Sequence, residues 1–347
     1  GNLCHGPMGC KQSRDSSDGR NSYEAKETTE AEGGGSTRHV DFPEDDYLPC
    51  IYGLRNGDFA VAGSEGWLYL YSCEGQQLVK LRAHQKAVNR VLESNEGQLF
   101  SASSDGTVLC WKGLKEGQKA PVRPYEGHIL AVSAMDLLEG GLFTGSRDCC
   151  VMLWDVETGQ SIQKNKILRN VVTAARRCSA HTVVQASEDL QLRLWDSRSS
   201  LNKGPAMAVR SGPNQLICLD VPEDATFVAC GSKGFSRENC EVKIFDFRGS
   251  LQQQSALACA DQTIEALQCF GPDECLIASK DGHLRALSLP EPKVLWERRG
   301  SHLAYTALGL TASRCLTASL ASGGLALELF ALQKKQMPEL LATSLND

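Results

Sequence analysis

The sequence predicts an all-β protein: a seven-bladed β-propeller over residues 47–347, preceded by a disordered acidic tail over 1–46. Three observations carry this. A short apolar stretch recurs about every forty residues, side chains alternate within each copy, and the composition changes near Tyr47. SSDGTVLCW (103–111), SRDCCVMLW (146–154), SEDLQLRLW (187–195) and SKDGHLRAL (279–287) each place an Asp six residues before a large side chain, namely Trp111, Trp154, Trp195 or Leu287. EGWLYLY (65–71) fits with Glu65 and Tyr71, while ENCEVKIF and GGLALELF close on Phe245 and Phe330. The intervals between successive large residues are 40, 43, 41, 50, 42 and 43. Such a period, built of short strands, is the mark of a propeller, so seven copies mean seven blades of about four strands each. The 347 residues are also too many for one ordinary core unless it is built from repeated units.

The tail comes first. It is rich in Ser, Gly, Glu and Asp, with 5 basic against 10 acidic side chains, and has too little apolar surface to offset its ordering entropy. It opens GNLCHGPMGCKQS. Gly1 is a candidate for myristoylation with Cys4 as a palmitoylation site, although His5 stands where Ser or Thr is preferred. Gly9 and Cys10 form a second candidate pair, in Met8-Gly9-Cys10-Lys11-Gln12-Ser13. One acyl chain binds membranes marginally, so the pairs matter. An unmodified tail, or residues 1–7 of vector origin, is the alternative.

The blades follow in order. Three residues after the Asp stand Val108, Val151, Leu192 and Leu284; five after stand Cys110, Leu153, Leu194 and Ala286; between them lie Leu109, Met152, Arg193 and Arg285. Period two, with polar side chains on one parity, is what a pleated strand requires. In blade two His84, Ser101, Asp105 and Trp111, and in blade three His128, Thr144, Asp148 and Trp154, have the spacing of a hydrogen-bonded set that satisfies buried donors and a buried acid. A catalytic Ser–His–Asp reading fails here, because the set recurs at the structural period and an active site would occur once. In blade five Lys233–Asn239 lengthens a turn that is short elsewhere. A closed ring removes an exposed sheet edge, so His39–Phe42 or Leu340–Thr343 is expected to supply the last outer strand.

Composition excludes several classes. Net charge is −6 with no long basic stretch, which argues against nucleic acid. No apolar run approaches the roughly 20 residues needed to cross a bilayer, and the reading is a cytoplasmic, membrane-associated chain. The 15 cysteines lack zinc-site spacing, and Cys110, Cys218, Cys230, Cys269 and Cys315 read as small buried hydrophobes. Cys149-Cys150 beside Arg147 is a candidate redox pair. There is no P-loop and no H-E-x-x-H; no cofactor, metal or catalytic residue is expected.

GSRDCCVMLWDVETGQS, RNVVT (169–173), LRLWDSR (192–198) and Gly234-Phe235 followed by Cys240-Glu241 carry a more specific likeness. With them the chain resembles the WD40-repeat β-propellers, and within these the family of WD repeat-containing protein 31. The specific part spans roughly residues 145–248. The resemblance implies a non-enzymatic adaptor in the cilium, acting in intraflagellar transport and BBSome recruitment with regulators of Arf-like GTPases. By itself the chain is expected to be monomeric. The expected partner-binding residues lie at equivalent turns: Trp67, Arg147, Glu188, Lys233, Phe235, Arg237, Lys280 and His283. Phe235 either faces a partner or packs down over its blade. The competing reading is a substrate receptor of a cullin-type ubiquitin ligase, docked through Asp196 and Arg198 with Asp246 and Arg248.

Overall fold

Six of the seven blades are antiparallel sheets of four strands consecutive in the chain, joined by turns. The computed structural model describes residues 38–40, 42, 46–222, 226–289, 291–300, 304–321 and 324–332. Blade one is β2 (Cys50–Gly53), β3 (Phe59–Ala62), β4 (Trp67–Tyr71) and β5 (Gln77–Arg82). Blade two is β6 (Val88–Glu93), β7 (Leu99–Ser103), β8 (Thr107–Trp111) and β9 (Arg123–Glu126). Blade three is β10 (Val132–Leu138), β11 (Gly141–Ser146), β12 (Cys150–Trp154) and β13 (Ser161–Lys166). Blade four is β14 (Val172–Arg177), β15 (Thr182–Ser187), β16 (Gln191–Asp196) and β17 (Met207–Arg210). Blade five is β18 (Leu216–Asp220), β19 (Phe227–Ser232), β20 (Glu241–Asp246) and β21 (Gln252–Ala258). Blade six is β22 (Ile264–Cys269), β23 (Glu274–Ser279), β24 (His283–Ser288) and β25 (Lys293–Arg299).

Blade seven joins the two ends of the chain. β26 (Ala304–Leu310), β27 (Arg314–Ala321) and β28 (Gly324–Ala331) take β1 (Arg38–Val40) as their outer strand. Arg38 pairs with Leu329, His39 with Glu328 and Val40 with Leu327, and Val40 is buried. Of the two closing segments expected, the amino-terminal one is used; Leu340–Thr343 lies outside the described residues. The tail boundary at 46 therefore moves: Arg38–Val40 is a propeller strand, Phe42 packs edge-on to Tyr69 with centroids 5.2 Å apart, and Asp46 is buried in blade one.

The core lies between blades. One buried cluster joins Phe143, Val151 and Leu153 of blade three to Val172, Ala175 and Val183 of blade four. Close approach needs small residues: a Cβ on Gly145 would stand 2.5 Å from Val172, and one on Gly231 2.8 Å from Ile264. In blades two to seven the register slips just after the innermost strand begins, the sign of a β-bulge. In blades two, three, four and seven the extra residue turns its side chain toward the next blade. Asn89 donates to Val132 O (2.8 Å), Ser133 to Val172 O (2.5 Å), Thr173 to Leu216 O (2.7 Å) and Thr306 to Leu48 O (3.3 Å). Blade five carries Ile217 at this place, and Cys218 Sγ reaches Ile264 O instead at 3.4 Å.

Candidate interaction face

In this topology the turns between second and third strands, and the loops leading into first strands, share one end of the blades. This upper face rests on buried polar sets. In blade three Trp154 Nε1–H donates to Thr144 Oγ1 (2.8 Å), which lies 2.8 Å from His128 Nε2; His128 Nδ1 is 3.0 Å from Asp148 Oδ2. Blade two repeats the chain through Trp111, Ser101, His84 and Asp105, with distances of 2.8, 2.8 and 3.1 Å. Burial raises the Asp148 and Asp105 carboxyls, but bonds from His128 and His84 and from nearby donors outweigh it and hold both well below the usual range. These groups are internally satisfied scaffold.

Two residues before the large third-strand side chain stand Tyr69, Leu109, Met152, Arg193, Lys243, Arg285 and Glu328, and this parity is not a solvent face. Blades two and three, which have the His, place Leu109 and Met152 there. The others bury a polar group in its stead. Arg193 bonds Asp189 (2.5 Å) and Asn170 (2.9 Å), while Gln185 bridges Asn170 to Trp195. Lys243 donates to Ser211 O at 3.0 Å. Arg285 spans Asp281 and Glu297, each at 2.9 Å. In blade one Asp46 accepts from Ser64 N (2.8 Å) and Tyr69 OH (3.5 Å). Sequence reading missed these substitutes because each element changes identity at once. The signal was the cation two residues before the Trp or its substitute.

The blade-five insertion is the most distinctive feature of this face. Phe235 and Glu238 exchange backbone bonds of 3.2 and 3.0 Å, and Phe235 also bridges Gln262. Arg237 holds Asp261 of the next blade through Nε–H (2.8 Å), and its N–H reaches Asp261 O at 3.0 Å. Ser236, Arg237 and Asn239 have φ of 52°, 70° and 55°. Non-glycine residues in that region cost about 1 kcal/mol or more each, and such strain clusters at working sites. Phe235 is 70% exposed. It does not pack down over its blade.

The other expected residues are placed differently. Arg147 meets Glu188 at 3.7 Å across the blade-three and blade-four turns. Lys280 reaches Glu265 at 2.9 Å, and Lys233 is exposed at the start of the insertion. Two do not sit in turns. Trp67 is the first residue of β4, half-buried, with Lys80 Nζ 4.5 Å above its ring. His283 opens β24, tied to Asp281 and Glu297. Because period two aligns strand starts as readily as turns, their placement needed the register. Asp196 and Asp246 close the third strands β16 and β20, with Arg198 and Arg248 just beyond them, at the opposite end; each Arg is exposed and folds onto its own Asp at 2.7 and 2.5 Å. The tail sites Gly1, Cys4, Gly9 and Cys10 lie outside the described residues.

Cys149 is half-buried with φ 68°, and burial pushes the Cys150 thiol up. That is unfavourable to a thiolate there, and both are free thiols. Cys269 is half-buried, whereas Cys110, Cys218, Cys230 and Cys315 are buried. Among the described residues no group of three or more His, Cys, Asp or Glu is placed to hold a metal, and no helix is long and apolar enough to cross a membrane. A cavity of about 90 Å³ at the ring centre is lined by the innermost strands of all seven blades. Arg176 lines it and pairs with Asp220 of the adjacent blade (3.0 Å), which holds the guanidinium firmly as a cation.

The fold is a seven-bladed β-propeller, and the His–Ser/Thr–Asp–Trp sets of blades two and three mark those blades as WD repeats. The WD domain, G-beta repeat family matches residues 75–112 and 119–155. The chain is similar to the Schizosaccharomyces pombe pre-rRNA-processing protein crb3/ipi3, 30% identical over 131 residues, 32% of this chain and 29% of that protein. It is also similar to human kinesin-like protein KIF21A, 25% identical over 201 residues, 52% of this chain and 12% of that one. A third relative is the ribosome biogenesis protein WDR12 homolog of Drosophila persimilis, 28% identical over 134 residues, 34% and 32% respectively. The chain thus covers less than a third of the length of each. Two of the three are named for ribosome production and one as a kinesin-like protein, and what all three share with this chain is the repeat.

Proposed function

We propose that this chain is a non-enzymatic scaffold that captures a protein partner on the upper face at the blade-five insertion, while its acylated amino terminus tethers it to a membrane. One observation carries the reading: an aromatic side chain held out to solvent on a strained loop that Arg237 pins to the next blade. An exposed, pre-ordered aromatic beside an Arg has the composition of an interface hot spot. The resemblance to the WD repeat-containing protein 31 family adds ciliary trafficking as the setting. Proximity labelling with the intact amino terminus names the partner. Phe235→Ala with Arg147→Glu then lowers its capture at unchanged melting temperature; unchanged capture removes this face from the reading. Metabolic labelling with an alkyne myristate, on the wild type and on Gly1→Ala and Cys4→Ser variants, tests the tether. Unlabelled wild-type protein sinks it.

A second reading, a substrate receptor of a cullin-type ligase, is favoured by Arg198 and Arg248, exposed after the third strands of consecutive blades. Co-purification with the cullin adaptor, lost in Arg198→Ala with Arg248→Ala, would establish it in place of the first.

A further inference from the structure

Blades two and three carry the same polar set but present different side chains above it. Gln85 and Lys86 follow His84 in blade two, whereas Ile129 and Leu130 follow His128 in blade three. Ile129 is 79% exposed and Leu130 52%; Leu168, in the loop leading into blade four, is 81% exposed. Their backbone is braced. Ile129 N donates to Asp148 (3.0 Å), Leu130 O accepts from Ser146 Oγ (3.1 Å), and Ile167 N donates to Cys149 O (3.2 Å). Grouped large aliphatics left in water mark a contact surface.

Their surroundings are cationic on a chain of net charge −6. Lys86, Lys164, Lys166 and Arg169 are exposed and make no ion pair among the described residues; Lys164 lies 3.4 Å from Gly127 O, on the approach to His128. Arg147 is paired to Glu188, and Glu126 is the other acid at this end of β9 and β13. The aliphatics stand in the loops leading into blades three and four, away from the central cavity. Protruding, braced aliphatics among unpaired cations match a flat surface that is negative outside and apolar just beneath.

We propose that the blade-three sector docks on an anionic lipid membrane, with Ile129 and Leu168 entering the acyl boundary and Lys164, Lys166 and Arg169 at phosphate level. The contact is independent of acylation and lies two blades from Phe235, leaving the insertion open to a protein partner.

The test uses the full chain from a bacterial host, which lacks the acyltransferases, in co-sedimentation with phosphatidylcholine vesicles with and without phosphatidylserine. The wild type partitions onto the phosphatidylserine vesicles at low salt. Lys166→Ala with Arg169→Ala lowers that partition about twenty-five-fold, at about fivefold per cation. Ile129→Asp with Leu168→Asp abolishes it at unchanged melting temperature, and Phe235→Ala leaves it intact. Equal partition onto both vesicle types, or no loss in either double variant, overturns the proposal while leaving the Phe235-dependent capture standing. A leucine-containing acidic peptide that binds this sector, without vesicle partition, overturns it in favour of a protein segment.

Discussion

Replacing Thr144 by Val tests whether the buried polar chain of blade three holds the blade together. Donors run in one direction: Trp154 Nε1–H to Thr144 Oγ1, the Thr144 hydroxyl to His128 Nε2, and His128 Nδ1–H to the Asp148 carboxylate. Val has nearly the shape of Thr, so packing is kept while two buried groups, the Trp154 N–H and His128 Nε2, lose their partners. Leaving such a group unsatisfied costs about 1–3 kcal/mol, so the variant loses about 2–6 kcal/mol. Urea unfolding, followed by tryptophan fluorescence, should show a lowered midpoint at unchanged m. Adding Trp154→Phe removes the stranded N–H, so the double variant should lose less than the sum of the two single losses, by at least about 0.5 kcal/mol. A single-variant loss below about 0.5 kcal/mol, with additive double behaviour, would refute the idea that the chain of donors carries stability.

The same chemistry sets an acid limit. The folded-state carboxyls of Asp105 and Asp148 are depressed, so their contribution is complete above the unfolded value of 3.8 and is lost as pH falls through the lower folded values. Urea midpoints between about pH 4 and pH 2 should therefore fall less steeply in Asp105→Asn with Asp148→Asn than in the wild type. In blade four, Arg193→Met strands Asp189 and Asn170 and should cost about 3–5 kcal/mol by urea unfolding. Met152→Leu, at the same register in blade three, should cost less than about 1.5 kcal/mol. Deleting residues 38–42 opens the edge of blade seven and should give aggregation on size exclusion, whereas deleting 1–36 should leave a monomer of unchanged melting temperature.

The number of blades, their order and the polar sets of blades two and three were legible in the sequence. They depend on local chemistry: an Asp in a tight turn, a period-two strand, and a Trp six residues on. These signals lie within one hairpin and repeat at one spacing. The closing strand, the boundary at Arg38 and the buried Arg193, Lys243 and Arg285 were not legible. Each depends on partners far along the chain or on several residues changing together. The outward turn of Phe235 and the aliphatic tips at Ile129 and Leu168 needed the structure as well. A large apolar residue in a loop reads alike whether it packs down or stands in water, and only the Arg237–Asp261 tie and the bonds of the polar sets decide which. Sequence alone thus determined the repeat, because hydrogen bonding and burial within a blade are local. Tertiary structure decided the ring's closure and its exposed surfaces, because both are settled between blades.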